Sequence, residues 1–182
     1  MEIKPNEMKL IVFYLPQLHN IPENDEWWGQ GFTKWTNVKS SKPNFKGHYM
    51  PRVPLNNNYY RLLNIDVLQR QANITKKYGI YGFVYYHYWY EEGMLLERPA
   101  ELMLAHQEVD MPFCFCWANQ HWNRGWANKS NVILRKQTYG DKDEWISIST
   151  ICSNFLKIQD ILKLITSHYL SFTLRLFHAS KK

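Results

Sequence analysis

No apolar stretch in this sequence reaches the roughly 18 residues that a membrane-crossing helix needs. The N-terminus, Met1 to Lys9, is too charged for a secretory leader, so the sequence reads as a cytoplasmic protein with no membrane span. Cysteine is scarce: Cys114, Cys116 and Cys152 make an odd count with no CxxC pair. That excludes a disulfide scaffold and offers no zinc-type ligand spacing. Lying two apart in an expected strand, Cys114 and Cys116 read as small buried hydrophobes on one face. Runs of like charge are missing too. The 22 basic and 16 acidic residues leave a net +6, but the basic ones are scattered, so no nucleic-acid partner is expected. No low-complexity tract interrupts the 182 residues, which have room for one domain with a sizeable core.

What the sequence does have is aromatic side chains: 8 Trp, 12 Tyr and 9 Phe. They are densest from Tyr81 to Tyr90, where seven of ten residues are aromatic and His87 sits among them. Ile80, Phe83, Val84 and the tyrosines favour a pleated backbone, which predicts a buried strand over 80–87. Val and Ile alone would fill such a strand. Tyr and Trp cost more, because each buried hydroxyl or indole N–H needs a partner. Rings with polar tips at a strand end suit a sugar cleft, where the C–H face of a pyranose lies on the ring. The plainer reading is an aromatic core.

Taken in order, the chain first shows Leu10-Ile-Val-Phe-Tyr-Leu15, a short apolar run that fits a strand of a parallel sheet. Pro16 ends its pairing. Residues 19–60 read as one long loop, rich in Pro, Asn, Gly and Trp, and such loops usually carry function. Trp27, Trp28 and Trp35 lie in its densest part and are expected at the rim of a cleft. From Asn64 the spacing of Ile65, Leu68 and Ala72 predicts a helix, capped at its start by Asn64 or Asp66 and stopped by Gly79. Glu91-Glu92-Gly93 reads as a turn, and a second helix is expected over 98–106 with Pro99 in its first turn. Phe113 to Ala118 is a third strand. The last two strands flank a helix, which makes a parallel βαβ unit.

Each strand ends in a polar and aromatic cluster: Gln17 and His19, then His87 and Trp89, then Asn119, His121 and Trp122. Ligands of parallel sheets bind at the carboxyl ends of the strands. Tyr14 and Trp117 lie within the strands beside these clusters. All of these, with the three loop tryptophans, are the expected substrate-binding residues. Residues 146–182 differ in character, with Asp160 as their one acidic residue, and their helical stripe (Phe155, Ile158, Leu162, Ile165) is spoiled by neighbouring apolar positions.

The chain resembles the WbsX-type glycosyltransferases of bacterial surface-polysaccharide synthesis, whose domain is similar to endo-mannosidase-like glycoside hydrolases. The resemblance rests on Phe13-Tyr-Leu-Pro-Gln-Leu-His19, Glu23-Asn-Asp-Glu-Trp-Trp-Gly29, Gly31-Phe-Thr33, Trp35-Thr-Asn-Val38, Tyr78-Gly-Ile-Tyr-Gly-Phe83, Tyr86-His-Tyr-Trp89, Leu96-Glu-Arg-Pro99 and Cys116-Trp-Ala-Asn119. It implies an α/β fold, the N-terminal strands of a (β/α)₈ TIM-type barrel, with residues 1–145 in the barrel and 146–182 an atypical tail. It also implies a glycan or nucleotide-sugar substrate and no cofactor. The chain departs from the family pattern at Lys34, where an acid is usual, near Gln120, where another is usual, and at Trp126-Ala-Asn128, where Trp-Asp-Gly is usual. No acid-Trp-x-acid stretch, the hydrolase-like relatives' signature, occurs in residues 120–182.

Glycosyl transfer and hydrolysis both need positioned acids and bases. Among Glu23, Asp25, Glu26, Glu91 and Glu92, Glu26 is the candidate, with His87 as the alternative proton carrier. Three other readings stand beside glycosyl transfer: a glycoside hydrolase-like domain, a non-catalytic carbohydrate-binding remnant, and a metal-dependent barrel hydrolase using His19, His87 and His121. Neighbouring carboxylates for a metal are not evident in the sequence, and no metal site is expected.

Overall fold

The computed structural model describes residues 8–124 and 132–155. Its frame is a parallel sheet of β1 (Leu10–Tyr14), β2 (Ile80–Tyr90) and β4 (Phe113–Trp117), with β2 in the middle. Tyr14 pairs with Tyr85, and His87 with Trp117, both in parallel register. The expected strands are therefore present as parallel neighbours in the expected order. The fold class is mixed α/β; among the described residues the sheet does not close into a barrel.

One element is longer than expected. β2 runs on to Tyr90, turns through Glu91 and Glu92, and returns as β3 (Gly93–Leu95) in antiparallel register. Gly93 supplies the φ of 119° that starts the return.

Helices α3 (Ile65–Lys77) and α4 (Arg98–Ala105) are the crossovers. The Asn64 side chain caps α3 by accepting from the Asp66 amide at 2.9 Å, and Gly79 follows its end at φ 77°. Leu68 and Ala72 of α3, Ala100 and Met103 of α4, and Phe83, Tyr85 and Phe113 of the sheet form the main core. Strand alternation makes the consequence plain: the odd-numbered side of β2 faces the helices. The opposite side holds Tyr86 and Tyr88, and Phe13 of β1 stacks on Tyr86 at 5.5 Å while 65% exposed.

The segment read as a single loop holds two short helices, α1 (Pro22–Trp28) and α2 (Lys34–Ser40). Pro22 opens α1, and Gly29 closes it at φ 100°. Thr33 opens α2 with a reciprocal box, accepting at its side chain while Thr36 accepts from the Thr33 amide. After β4 come a small hairpin, β5 (Trp122–Asn123) with β6 (Ile133–Arg135), and the helix α5 (Lys142–Phe155). The motif at 126–128 and the tail stripe beyond residue 155 lie outside the described residues. No described helix is long and apolar enough to cross a membrane.

Candidate functional site

The carboxyl ends of the parallel strands meet α1, α2 and the β5–β6 hairpin. Pro16, fully buried, turns the chain after β1 and brings the Gln17 amide onto Tyr88, whose hydroxyl accepts from Nε2 at 3.0 Å. Burial, partly offset by Gln17, pushes the Tyr88 hydroxyl up to about 12. β4 joins the same edge when the Ala118 amide donates to the His87 carbonyl at 2.9 Å. Here lies a cavity of about 90 Å³. Tyr88, Tyr90, Trp28, Phe32 and Trp122 give it aromatic walls, and Gln17, Asn24, Gln120, His121 and Asn123 give it neutral polar ones. Lys34, half-buried at the start of α2, is the one permanently charged side chain among these lining residues, and burial lowers its pKa. No carboxylate lines the cavity among the described residues.

Several contacts hold the walls. Asp25 accepts from the Gly31 and Phe32 amides at 2.9 and 3.2 Å, folding the turn after α1 back onto the helix. Trp27 packs beside Trp122, with ring centres 6.3 Å apart, and Trp122 meets Tyr88 edge-on at 4.9 Å. Two arginines of the hairpin region clamp α1. Arg124 lies 5.6 Å over Trp28 and donates to the Trp27 carbonyl at 3.3 Å. Arg135 lies 5.8 Å over Trp27, pairs with Glu92 and stands 3.8 Å from Glu23.

Of the residues expected from the sequence, Gln17, Trp28, His121 and Trp122 line this cavity, and Trp27 stands against it. His121 is also a structural acceptor, taking the Gln137 amide at 2.8 Å. The others are placed elsewhere. His87 is buried on the helix side, 4.9 Å from the Phe115 ring, and burial pushes its pKa down to about 4. His19 is fully buried with neither ring nitrogen hydrogen-bonded, and burial likewise pushes it down to about 4. Trp89 donates its indole N–H to Glu144 at 3.2 Å, and Trp117 donates to the Trp89 carbonyl at 3.4 Å. Trp35 anchors α2, donating to the Tyr60 carbonyl at 2.8 Å between the edges of Tyr59 and Tyr60. Tyr14 belongs to the core and donates to Gln71 at 2.5 Å. Asn119 is exposed, its carbonyl accepting from Tyr139, and Glu26 is exposed on α1.

Sequence reasoning did not single out Asn24, Phe32, Tyr88, Tyr90 or Asn123, and noticed Lys34 and Gln120 only as departures from a pattern. The signal for the tyrosines was the phase of β2. Once Phe83 and Tyr85 are assigned to the helix side, Tyr88 and Tyr90 must face the other way. No three His, Cys, Asp or Glu side chains converge among the described residues, so the three histidines form no metal centre there.

Comparison with known proteins agrees with the motifs. A family model described as Glycosyltransferase WbsX matches residues 10–168. Two proteins described as Uncharacterized protein WxcX, from strains B100 and ATCC 33913 of Xanthomonas campestris pv. campestris, are each 42% identical over 142 residues, covering 78% of this chain. The chain spans about a fifth (20%) of the length of these relatives. No solved structure gives a significant match.

Proposed function

Since the chain belongs to the WbsX glycosyltransferase family, we propose that it supplies the sugar-holding part of a carbohydrate-active protein. The process it serves is lipopolysaccharide, O-antigen or other surface-polysaccharide assembly, carried out in the cytoplasm. The observation that carries this reading is the cavity itself. It lies at the carboxyl edge of parallel strands, walled by rings and by neutral amide and imidazole groups. Two of its polar atoms, Gln17 Oε1 and Asn24 Oδ1, are buried without a hydrogen-bond partner. Buried acceptors of that kind call for a donor, and sugar hydroxyls are donors.

The three parallel strands are, on this proposal, the first strands of a (β/α)₈ barrel formed by residues 1–145, with 146–182 outside it. Helices on one side of the sheet, and an aromatic side opposite that carries the cavity at its carboxyl end, support that placement. One observation favours a second reading, that this chain binds glycans without catalysing. Among the described residues no carboxylate lines the cavity, and transfer or hydrolysis without a positioned acid and base forfeits a factor typically of about 10² to 10⁴ per group. A hydrolytic site also needs two facing carboxylates, whereas Glu23 and Glu92 meet at Arg135.

Ligand-observed NMR of the purified chain with neutral hexoses and nucleotide sugars tests the proposal. Saturation transfer to a hexose ring is expected, and Trp122→Ala should weaken the binding about tenfold by removing one ring face. Absence of transfer to every sugar, or transfer indifferent to Trp122→Ala, would overturn the assignment of this cavity.

A further inference from the structure

We propose that residues 39–55 form a docking loop for the surface of a bilayer rich in anionic lipid. Its cations meet the headgroups while its exposed apolar side chains enter the interface. The first observation is a gap in negative charge. Between Glu26 and Asp66 the sequence has no acidic residue, yet it places Lys39, Lys42, Lys46 and Arg52 in this loop. All four are exposed, and among the described residues none of them pairs with a carboxylate. The second observation is apolar exposure in the same stretch: Phe45 67%, Tyr49 63%, Val53 46% and Leu55 85%. Single exposed apolar residues are ordinary, but four among residues 45–55 are not scattered.

Local contacts hold these groups in place. Gly47 turns the chain at φ 88°, and the His48 amide donates to the Phe45 carbonyl at 3.1 Å. The His48 ring lies flat against one face of Phe45, with centres 4.8 Å apart, and its Nδ1 accepts from the Asn44 amide at 3.1 Å. Arg52 stands 6.0 Å from the centre of the Tyr49 ring, and Lys39 lies 4.1 Å over that of Tyr59. The Asn57 amide donates to Pro54 and the Asn58 amide to Leu55, which fixes the turn that carries Leu55. The mixture of groups decides the partner. A nucleic acid or an acidic polysaccharide would engage the cations and rings but give Val53 and Leu55 nothing to bury against. A protein partner fits less well, since interfaces are depleted in lysine and three of the four cations here are lysines. A bilayer surface takes lysine, arginine, aromatic and aliphatic groups together. The loop continues from α2, whose first residue lines the cavity, so one short helix joins the two sites.

The test floats the full chain with vesicles through a density gradient, which leaves self-associated protein behind. Vesicles of phosphatidylcholine alone are compared with vesicles of equal parts phosphatidylcholine and phosphatidylglycerol. Flotation is expected with the anionic vesicles and not with the neutral ones, and it should fall as salt rises. Replacing Lys42, Lys46 and Arg52 together by Gln should weaken partition about a hundredfold, the scale of three cations at an anionic surface. Phe45→Ser with Leu55→Ser should weaken it about tenfold or more while leaving every charge in place. Far-UV circular dichroism checks that both variants keep the fold; if one unfolds, the other and the salt series decide. Equal flotation with neutral vesicles, or none with either kind, overturns the proposal. So does flotation indifferent to Phe45→Ser with Leu55→Ser, which is the adhesion of any cationic surface. Tighter binding of duplex DNA or hyaluronate than of anionic vesicles overturns it in favour of a soluble polyanion. None of these outcomes touches the cavity, whose assignment stands on other residues.

Discussion

His19 and His87 are held neutral by burial, and acid should expose what that costs. Each is pushed down to about 4 from an ordinary value near 6.5. For His19 the nearby Arg98 adds to the effect of burial, while the Pro16 carbonyl opposes it. A base whose folded pKa is depressed gives its full stability above the unfolded value. That stability is lost as pH falls from about 6.5 toward 4, because the unfolded chain takes up protons the folded chain refuses. At the limit each histidine is worth about 3 kcal/mol. The urea midpoint should therefore fall steadily between pH 7 and pH 5, and His87→Gln should make that fall shallower. A midpoint unchanged across the range would mean that the imidazoles are solvated or paired in solution.

Among the elements, β2 does most of the organising, and Gly82 is its tightest point. A Cβ built there would stand 2.8 Å from the Pro112 carbonyl oxygen, the acceptor for the Phe83 amide that starts the β2–β4 ladder. Backbone cannot yield as a side-chain tip can. Gly82→Ala is expected to cost about 1–3 kcal/mol, read as a lower thermal midpoint, by pushing β4 away from β2. Unchanged stability would show that the ladder has slack. This central architecture was legible in the sequence because β1, β2, β4, α3 and α4 each carry a strong local signal: apolar runs for the strands, a stripe and a cap for α3, Pro99 for α4. Helices α1 and α2 were not legible. Each is seven residues long, α1 (PENDEWW) and α2 (KWTNVKS) show no apolar stripe, and Pro, Gly and Trp around them imitate a loop. The edge of the sheet that carries the cavity could be read from strand direction. Which side chains enter the cavity could not, because β2 is aromatic on both faces and a shift of one residue exchanges His87 and Trp89 for Tyr88 and Tyr90.

At the scale of the whole molecule, helices cover one side of the sheet, while the other side is covered at the carboxyl end of β2 and open at β1. α3 and α4 bury Phe83, Tyr85 and Phe113, but Phe13 on the opposite face is 65% exposed, and its neighbours Leu10 and Leu15 are 52% and 46% exposed. Among the described residues β1 and β4 each pair on one side alone, leaving a row of backbone donors and acceptors at both edges. An apolar face beside unpaired edges is a template for association. Phe13 stays largely exposed while stacked on Tyr86, so removing its ring should disturb the fold far less than it disturbs contact between copies. The purified chain is therefore expected to self-associate in the micromolar range, and Phe13→Glu should shift it toward monomer by placing charge on the open face. Light scattering across a dilution series measures the shift, and far-UV circular dichroism checks that Phe13→Glu keeps the helices and sheet. A chain that stays monomeric at high concentration with Phe13 intact would mean that this face is covered in solution. Association untouched by Phe13→Glu would instead place the contact at the strand edges, where Lys or Pro substitutions on β4 become the means of blocking it.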